Sequence, residues 1–169
     1  MMVEQMVESL ACQASIMPKG DLQRSGLLDG LEVLVVDDEI DIRELLAEYL
    51  QDQGLIVTTA PDGQAAVAAL ERSNGCFSLV LTDINMPGED GFAVLRAALK
   101  ANADAEVVVI TGYGSRDSIR QAVTLGARSY LAKPFKLGQL DTILHGIGER
   151  LALEPRRKRK KRAGAALSL

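Results

Sequence analysis

The amino-acid sequence predicts an α/β protein built on a parallel sheet with helices covering both faces. Two observations carry this expectation. Four short apolar runs each lead into a polar residue suited to handling a phosphoryl group: residues 31–36 into Asp37 and Asp38, 79–82 into Asp83, 107–110 into Thr111, and 130–132 into Lys133 and Pro134. Near-continuous apolar runs are the signature of strands buried on both sides. These runs also alternate regularly with stretches of helical spacing between residues 31 and 153, as β-α units do. Ligands on open α/β sheets bind beyond the carboxyl ends of the strands, so the polar residues should converge on one crevice. Three carboxylates, a hydroxyl and an ammonium would then share it.

The elements follow in order. After the first run, Ile42, Leu45, Leu46, Tyr49 and Leu50 fall on one helix face, and Gly54 is a stop signal. Residues 55–59 form a second short strand. Asp62 or Gly63 opens a second helix, from Ala65 to about Glu71, ahead of the run that ends at Asp83. Phe92, Leu95 and Leu99 mark a third helix. Ser115 caps a fourth that carries Ile119, Ala122 and Val123 and stops at Gly126. Leu137, Leu140, Leu144, Ile147 and Leu151 define the fifth. Each crossover must be right-handed and must bury its helix stripe, so five such units give a sheet with helices on both sides.

With 169 residues, 47% hydrophobic and 25% charged, the chain holds material for one ordinary domain with a core. No apolar stretch reaches the length of a bilayer span, and Glu4 and Glu8 stand where a secretory signal would be basic, so a cytoplasmic protein is expected. Cys12 and Cys76 have no metal-ligand spacing and read as reduced thiols. Net charge is −4, yet residues 156–162 are seven consecutive Lys and Arg residues; without them twelve cations face 23 acids, a net −11. Pro155 stops any helix arriving there, and like-charge repulsion keeps the run open, so residues 154–169 read as a basic tail. A solvated tail is the plainer reading, with nucleic acid as the alternative partner because clustered cations can release phosphate counterions, although no aromatic residue is interleaved to stack on bases. Residues 1–30 stand outside the main pattern as an N-terminal extension. Val3, Met6, Val7 and Leu10 have helical spacing there; so short a segment is marginal alone and more often frays or docks on its own domain, the alternative being that it pairs with a second copy in a homodimer.

Asp37-Asp38-Glu39 after the first strand, the block from Leu81 through Asp83, Asn85, Met86 and Pro87 to Gly91, then Ile110-Thr111-Gly112-Tyr113-Gly114, then Tyr130 through Lys133, Pro134 and Phe135, together resemble response-regulator receiver domains. The resemblance covers residues 31–153. It implies a flavodoxin-like, doubly wound, five-stranded parallel sheet of order 2-1-3-4-5. It implies a phosphorylation-activated signalling switch of a two-component system or phosphorelay, in which the chain catalyses only its own phosphorylation and dephosphorylation.

By that resemblance Asp83 is the phosphoacceptor, taking a phosphoryl group from the histidine of a histidine kinase or histidine phosphotransfer protein to form an acyl phosphate. Asp38 is the direct ligand of a Mg²⁺ ion, with one oxygen of Asp83 and the main-chain carbonyl of Asn85, while Asp37 acts through water. A hard divalent ion suits oxygen ligands and offsets the repulsion among three carboxylates and a phosphoryl dianion. Lys133 places a positive charge on the phosphoryl oxygens, and Pro134 matches the family's cis peptide. Thr111 hydrogen-bonds the new phosphoryl oxygen, and Tyr130 turns inward behind it as the second switch residue. Asn85 and Tyr113 flank the water path to the acyl phosphate and set its lifetime; the Tyr113 ring should slow hydrolysis.

Only sixteen residues follow Leu153, too few for an output domain, so signalling is expected to pass through contacts with a downstream protein; the alternative is a receiver fragment of a larger transcription regulator. An aspartyl-phosphate phosphatase of the haloacid dehalogenase type needs a second Asp two positions after the nucleophile, where this chain has Asn85. A phosphotransfer protein would need an exposed, motif-bound histidine, and the single His145 reads as an ordinary surface residue. No phosphate-binding glycine loop follows the first strand, which argues against a nucleotide-binding module.

Overall fold

The computed structural model describes residues 26–87, 91–112 and 116–153. Within them five strands alternate with five helices. The strands are β1 (Glu32–Val36), β2 (Ile56–Ala60), β3 (Leu79–Asp83), β4 (Glu106–Thr111) and β5 (Ser129–Ala132). The helices are α1 (Ile40–Asp52), α2 (Gly63–Arg72), α3 (Gly91–Ala101), α4 (Arg116–Thr124) and α5 (Leu137–Leu153). The sheet runs β2-β1-β3-β4-β5, and every pairing is parallel. This is the expected flavodoxin-like order.

Strand residues alternate between two cores because successive side chains point to opposite faces. Val33, Val35, Leu79, Leu81, Val108 and Ile110 face α1 and α5, where Ile42, Leu46, Leu50, Leu137, Leu140, Leu144 and Ile147 meet them. Leu34, Val36, Val80, Val107 and Val109 face the other way, onto Leu70 of α2, Leu95 of α3 and Ala122 of α4. β1, β3 and β4 sit in the middle of the sheet and bury almost every residue, which is why they read as unbroken apolar runs. Edge strand β2 has only Ala60 buried.

Strand boundaries differ from the sequence expectation by about a residue. Leu31 and Leu55 fall just outside β1 and β2, while Glu106 joins β4 and Ser129 joins β5. The helix starts follow local chemistry. Asp62 is the cap of α2, its Oδ1 accepting from the Ala65 N–H at 2.7 Å. Gly54, with φ +88°, turns the chain out of α1 as its stop signal requires. The α4 stripe is corrected: Ala122 alone is buried, and Val123 is 57% exposed. The packed unit also reaches back before residue 31. Leu28 is buried in the α1/α5 core, and Leu27 lies against Gly148 of α5.

Gly91 matters for the site. A Cβ there would stand 2.1 Å from the Asp83 carbonyl oxygen and 2.7 Å from Ile84 Cα, so only glycine lets the start of α3 close onto the end of β3. No helix among the described residues is long and apolar enough to cross a membrane. The amphipathic segment near Val3, the cap Ser115, the lifetime residue Tyr113 and the basic run 156–162 lie outside the described residues.

Candidate functional site

Register brings the polar strand ends together. Val36 pairs with Thr82, Asp83 with Ile110 and Thr111 with Ala132, so Asp37, Asp83, Thr111 and Lys133 gather along one edge. Asp37 is fully buried, Asp83 nearly so and Thr111 likewise, the polar residues continuing the burial of the strands that carry them.

Lys133 is the centre of the constellation. Its Nζ donates to Asp37 Oδ2 at 2.9 Å, to Asp83 Oδ2 at 2.9 Å and to Glu39 Oε1 at 3.1 Å. The Lys133–Pro134 peptide is cis. Burial works against the ammonium, but the charges and hydrogen bonds of Asp37 and Asp83 together outweigh it and hold Lys133 above the ordinary lysine range. Asp37 shows the opposite face of the same balance. Its burial pushes the carboxyl above the usual aspartate value, against the pull of Lys133 and of the Glu39 N–H.

The remaining oxygens are engaged too. Asp37 Oδ1 accepts from the Glu39 N–H at 2.9 Å, and Asp83 Oδ1 from the Asn85 N–H at 2.8 Å. The Asn85 amide, Nδ2, donates to Thr111 Oγ1 at 3.3 Å. Asp83 is thus an oriented carboxylate beside a permanent cation, with a buried hydroxyl linked to it through one residue. Such an arrangement can present a nucleophile to an electrophilic phosphorus and stabilise the charge on its oxygens.

Not every expected residue joins the cluster. Asp38, expected as the direct metal ligand, is exposed, and the carboxylate oxygens that lie within 4.8 Å of one another belong to Asp37, Glu39 and Asp83. β1 ends at Val36, and in the turn that leads to α1 Asp37 stays packed against the sheet end while Asp38 lies exposed. Glu39 was missed although it follows the acidic pair directly, because its reach to Lys133 depends on the turn into α1. Arg43 was missed as well; from the first turn of α1 its guanidinium donates to the Asp37 carbonyl at 2.7 Å and pins that turn. Tyr130 is 51% exposed on β5, so it is not packed in the core.

A model of the response regulator receiver domain matches residues 33–145. The transcriptional regulatory protein TcrA of Mycobacterium tuberculosis is 33% identical over 132 residues, which are 78% of this chain and 51% of that protein. The chain therefore spans about half the length of this relative. Sporulation initiation phosphotransferase F of Bacillus subtilis is 32% identical over 64% of this chain and 86% of its own length. Among solved structures, NtrX of Brucella abortus superposes with a TM-score of 0.65 at 36% identity, over 73% of this chain and 28% of that one. A CheY-like receiver from Methanospirillum hungatei gives 0.70 at 25% identity, over 75% of this chain and all of the other.

Proposed function

The chain belongs to the response regulator receiver family, and from that premise we propose that Asp83 is its phosphoacceptor, charged by a histidine kinase or a histidine phosphotransfer protein. Receiver domains of two-component systems are signalling switches. The observation that carries the assignment is the 2.9 Å contact between Asp83 Oδ2 and Lys133 Nζ inside a pocket that also holds Asp37 and Thr111. A carboxylate with a structural role alone would not need three converging strand ends around it.

In the proposed step an Asp83 oxygen attacks phosphorus in line. The bond from phosphorus to the histidine nitrogen breaks, its electron pair returns to the imidazole, and a P–O bond to Asp83 forms. The Lys133 ammonium shifts its contact from the Asp83 carboxylate to the phosphoryl oxygens. Being held protonated by its carboxylate neighbours, it brings a full charge to that task. The Thr111 hydroxyl donates to a phosphoryl oxygen, and Tyr130 follows inward from its exposed position, changing the surface of α4, β5 and α5 that a downstream protein reads.

The residues fit a hard divalent cation such as Mg²⁺. All the donors are oxygens, and the carboxylates already gather around one positive charge, that of Lys133. Asp37 and Asp83 each have both oxygens hydrogen-bonded, Asp37 by the Glu39 N–H and Lys133 and Asp83 by the Asn85 N–H and Lys133, and Asp38 is exposed next to Asp37. By the family resemblance Asp38, Asp83 and the Asn85 carbonyl would hold the ion directly, and Asp37 through water. When bound, the ion supplies charge that offsets the crowded carboxylates and the incoming phosphoryl dianion.

Intact-mass spectrometry tests the acceptor. With acetyl phosphate and Mg²⁺ the parent chain should acquire a base-labile phosphate adduct, and Asp83→Asn should acquire none. An undiminished adduct on the variant would place the phosphoryl group elsewhere.

A further inference from the structure

Thr111 is 1% exposed, so its hydroxyl depends on protein partners rather than bulk water. The Asn85 amide meets it at 3.3 Å, and the main-chain N–H of the same residue holds Asp83 Oδ1 at 2.8 Å. One residue thus ties the proposed phosphoacceptor to the hydroxyl that the phosphoryl group must later claim. Resting on the acceptor reading of Asp83, we infer that the Asn85 side chain is a positioning residue, a latch that holds Thr111 in its resting place and opposes switching before phosphorylation.

The magnitudes suit a latch. A hydrogen bond between neutral groups contributes about 1 kcal/mol net, equivalent to about fivefold in a two-state equilibrium. A bond from the Thr111 hydroxyl to a charged phosphoryl oxygen is roughly twice as strong, so phosphorylation overcomes the latch, which by itself biases the resting equilibrium about fivefold. Asn85 is exposed, and shortening its side chain opens no cavity in the core. The Asn85 N–H and carbonyl belong to the main chain and survive the change.

The test uses the ¹⁵N-labelled full chain with Mg²⁺ and beryllium fluoride, a tetrahedral mimic of the aspartyl phosphate. Asn85→Ala should bind beryllium fluoride about fivefold more tightly, because the competent state is more populated. Its Gly112 amide resonance, without the mimic, should move toward the mimic-bound position. In a Thr111→Val background the same Asn85→Ala change should leave both readouts where Thr111→Val alone puts them. Parent-like affinity and resonance in Asn85→Ala would overturn the latch. So would a tightening that persists with Thr111→Val, since the side chain would then act on the bound group directly. If the parent chain shows no resonance shift with beryllium fluoride at all, the acceptor reading of Asp83 fails first and takes the latch with it.

Discussion

At the scale of single residues, the site is a balance of charges rather than a row of independent groups. Lys133 carries one positive charge against Asp37, Asp83 and Glu39, so the constellation is left with surplus negative charge for a divalent ion to neutralise. Asp37 and Asp38 are adjacent in sequence but opposite in situation. Asp37 is locked by two hydrogen-bond partners, and Asp38 is exposed. Asp38→Ala is therefore expected to weaken Mg²⁺ binding at least tenfold, and Asp37→Ala substantially less, in a metal titration followed by spectroscopy. Equal losses would show that Asp37 breaks from Lys133 to ligate directly.

At the scale of elements, close approaches between helices and strands fix the geometry of the acceptor. Gly91 lets α3 start against the Asp83 carbonyl. Gly91→Ala should cost more than about 2 kcal/mol of stability, since the clash is with backbone that cannot step aside. Urea unfolding measures the loss, and the same variant should accept phosphate more slowly because Asp83 shifts with its strand. On the opposite face, Tyr49 of α1 donates to Asp141 of α5, joining the two helices that cover the core. Burial first, and the Asp141 carboxylate second, hold the Tyr49 hydroxyl well above its ordinary value of 10.0. A group whose folded value is raised stabilises the fold fully below its unfolded value and loses that contribution as pH rises through the folded one. The parent chain should therefore lose more stability than Tyr49→Phe between pH 8 and pH 11. Parallel declines in urea midpoint would show that the tyrosine is free to ionise in the fold.

At the scale of the whole molecule, α5 links the two ends of the sheet. α5 begins beside the site, four residues after Lys133, and runs to the opposite end, where Arg150 makes a bidentate pair with Glu106 at the start of β4, at 3.1 and 3.0 Å. The described chain thus ends at the end of the sheet remote from Asp83. Truncation after Glu154 is expected to preserve both fold and phosphorylation. If residues 156–162 bind nucleic acid, the full chain should show an affinity that falls steeply with salt while the truncated chain shows little. Equal, weak binding by both forms in low salt would make the run a solvated tail.

Much of this architecture was legible in the residue order because the central strands are buried on both faces, so β1, β3 and β4 announce themselves as apolar runs and their polar ends mark the site. Asp37, Asp83, Thr111 and Lys133 could be named without coordinates on that ground. Helix periodicity likewise located α1 and α5, whose stripes are long and mostly buried. It misjudged α4, where polar residues surround a single buried Ala122 and the outward Val123 looks apolar in sequence alone. Only the tertiary structure decided what happens around the acids. Whether Asp37 or Asp38 faces inward, whether Glu39 reaches Lys133, and whether Asn85 meets Thr111 depend on turns and on pairings across the sheet. Those contacts join residues far apart in the chain, up to 94 positions for Glu39 and Lys133 and 26 for Asn85 and Thr111. Local patterns report which face of an element is buried; they carry no information about which side chains meet across such distances, because that is set by how the packed elements bring their ends together.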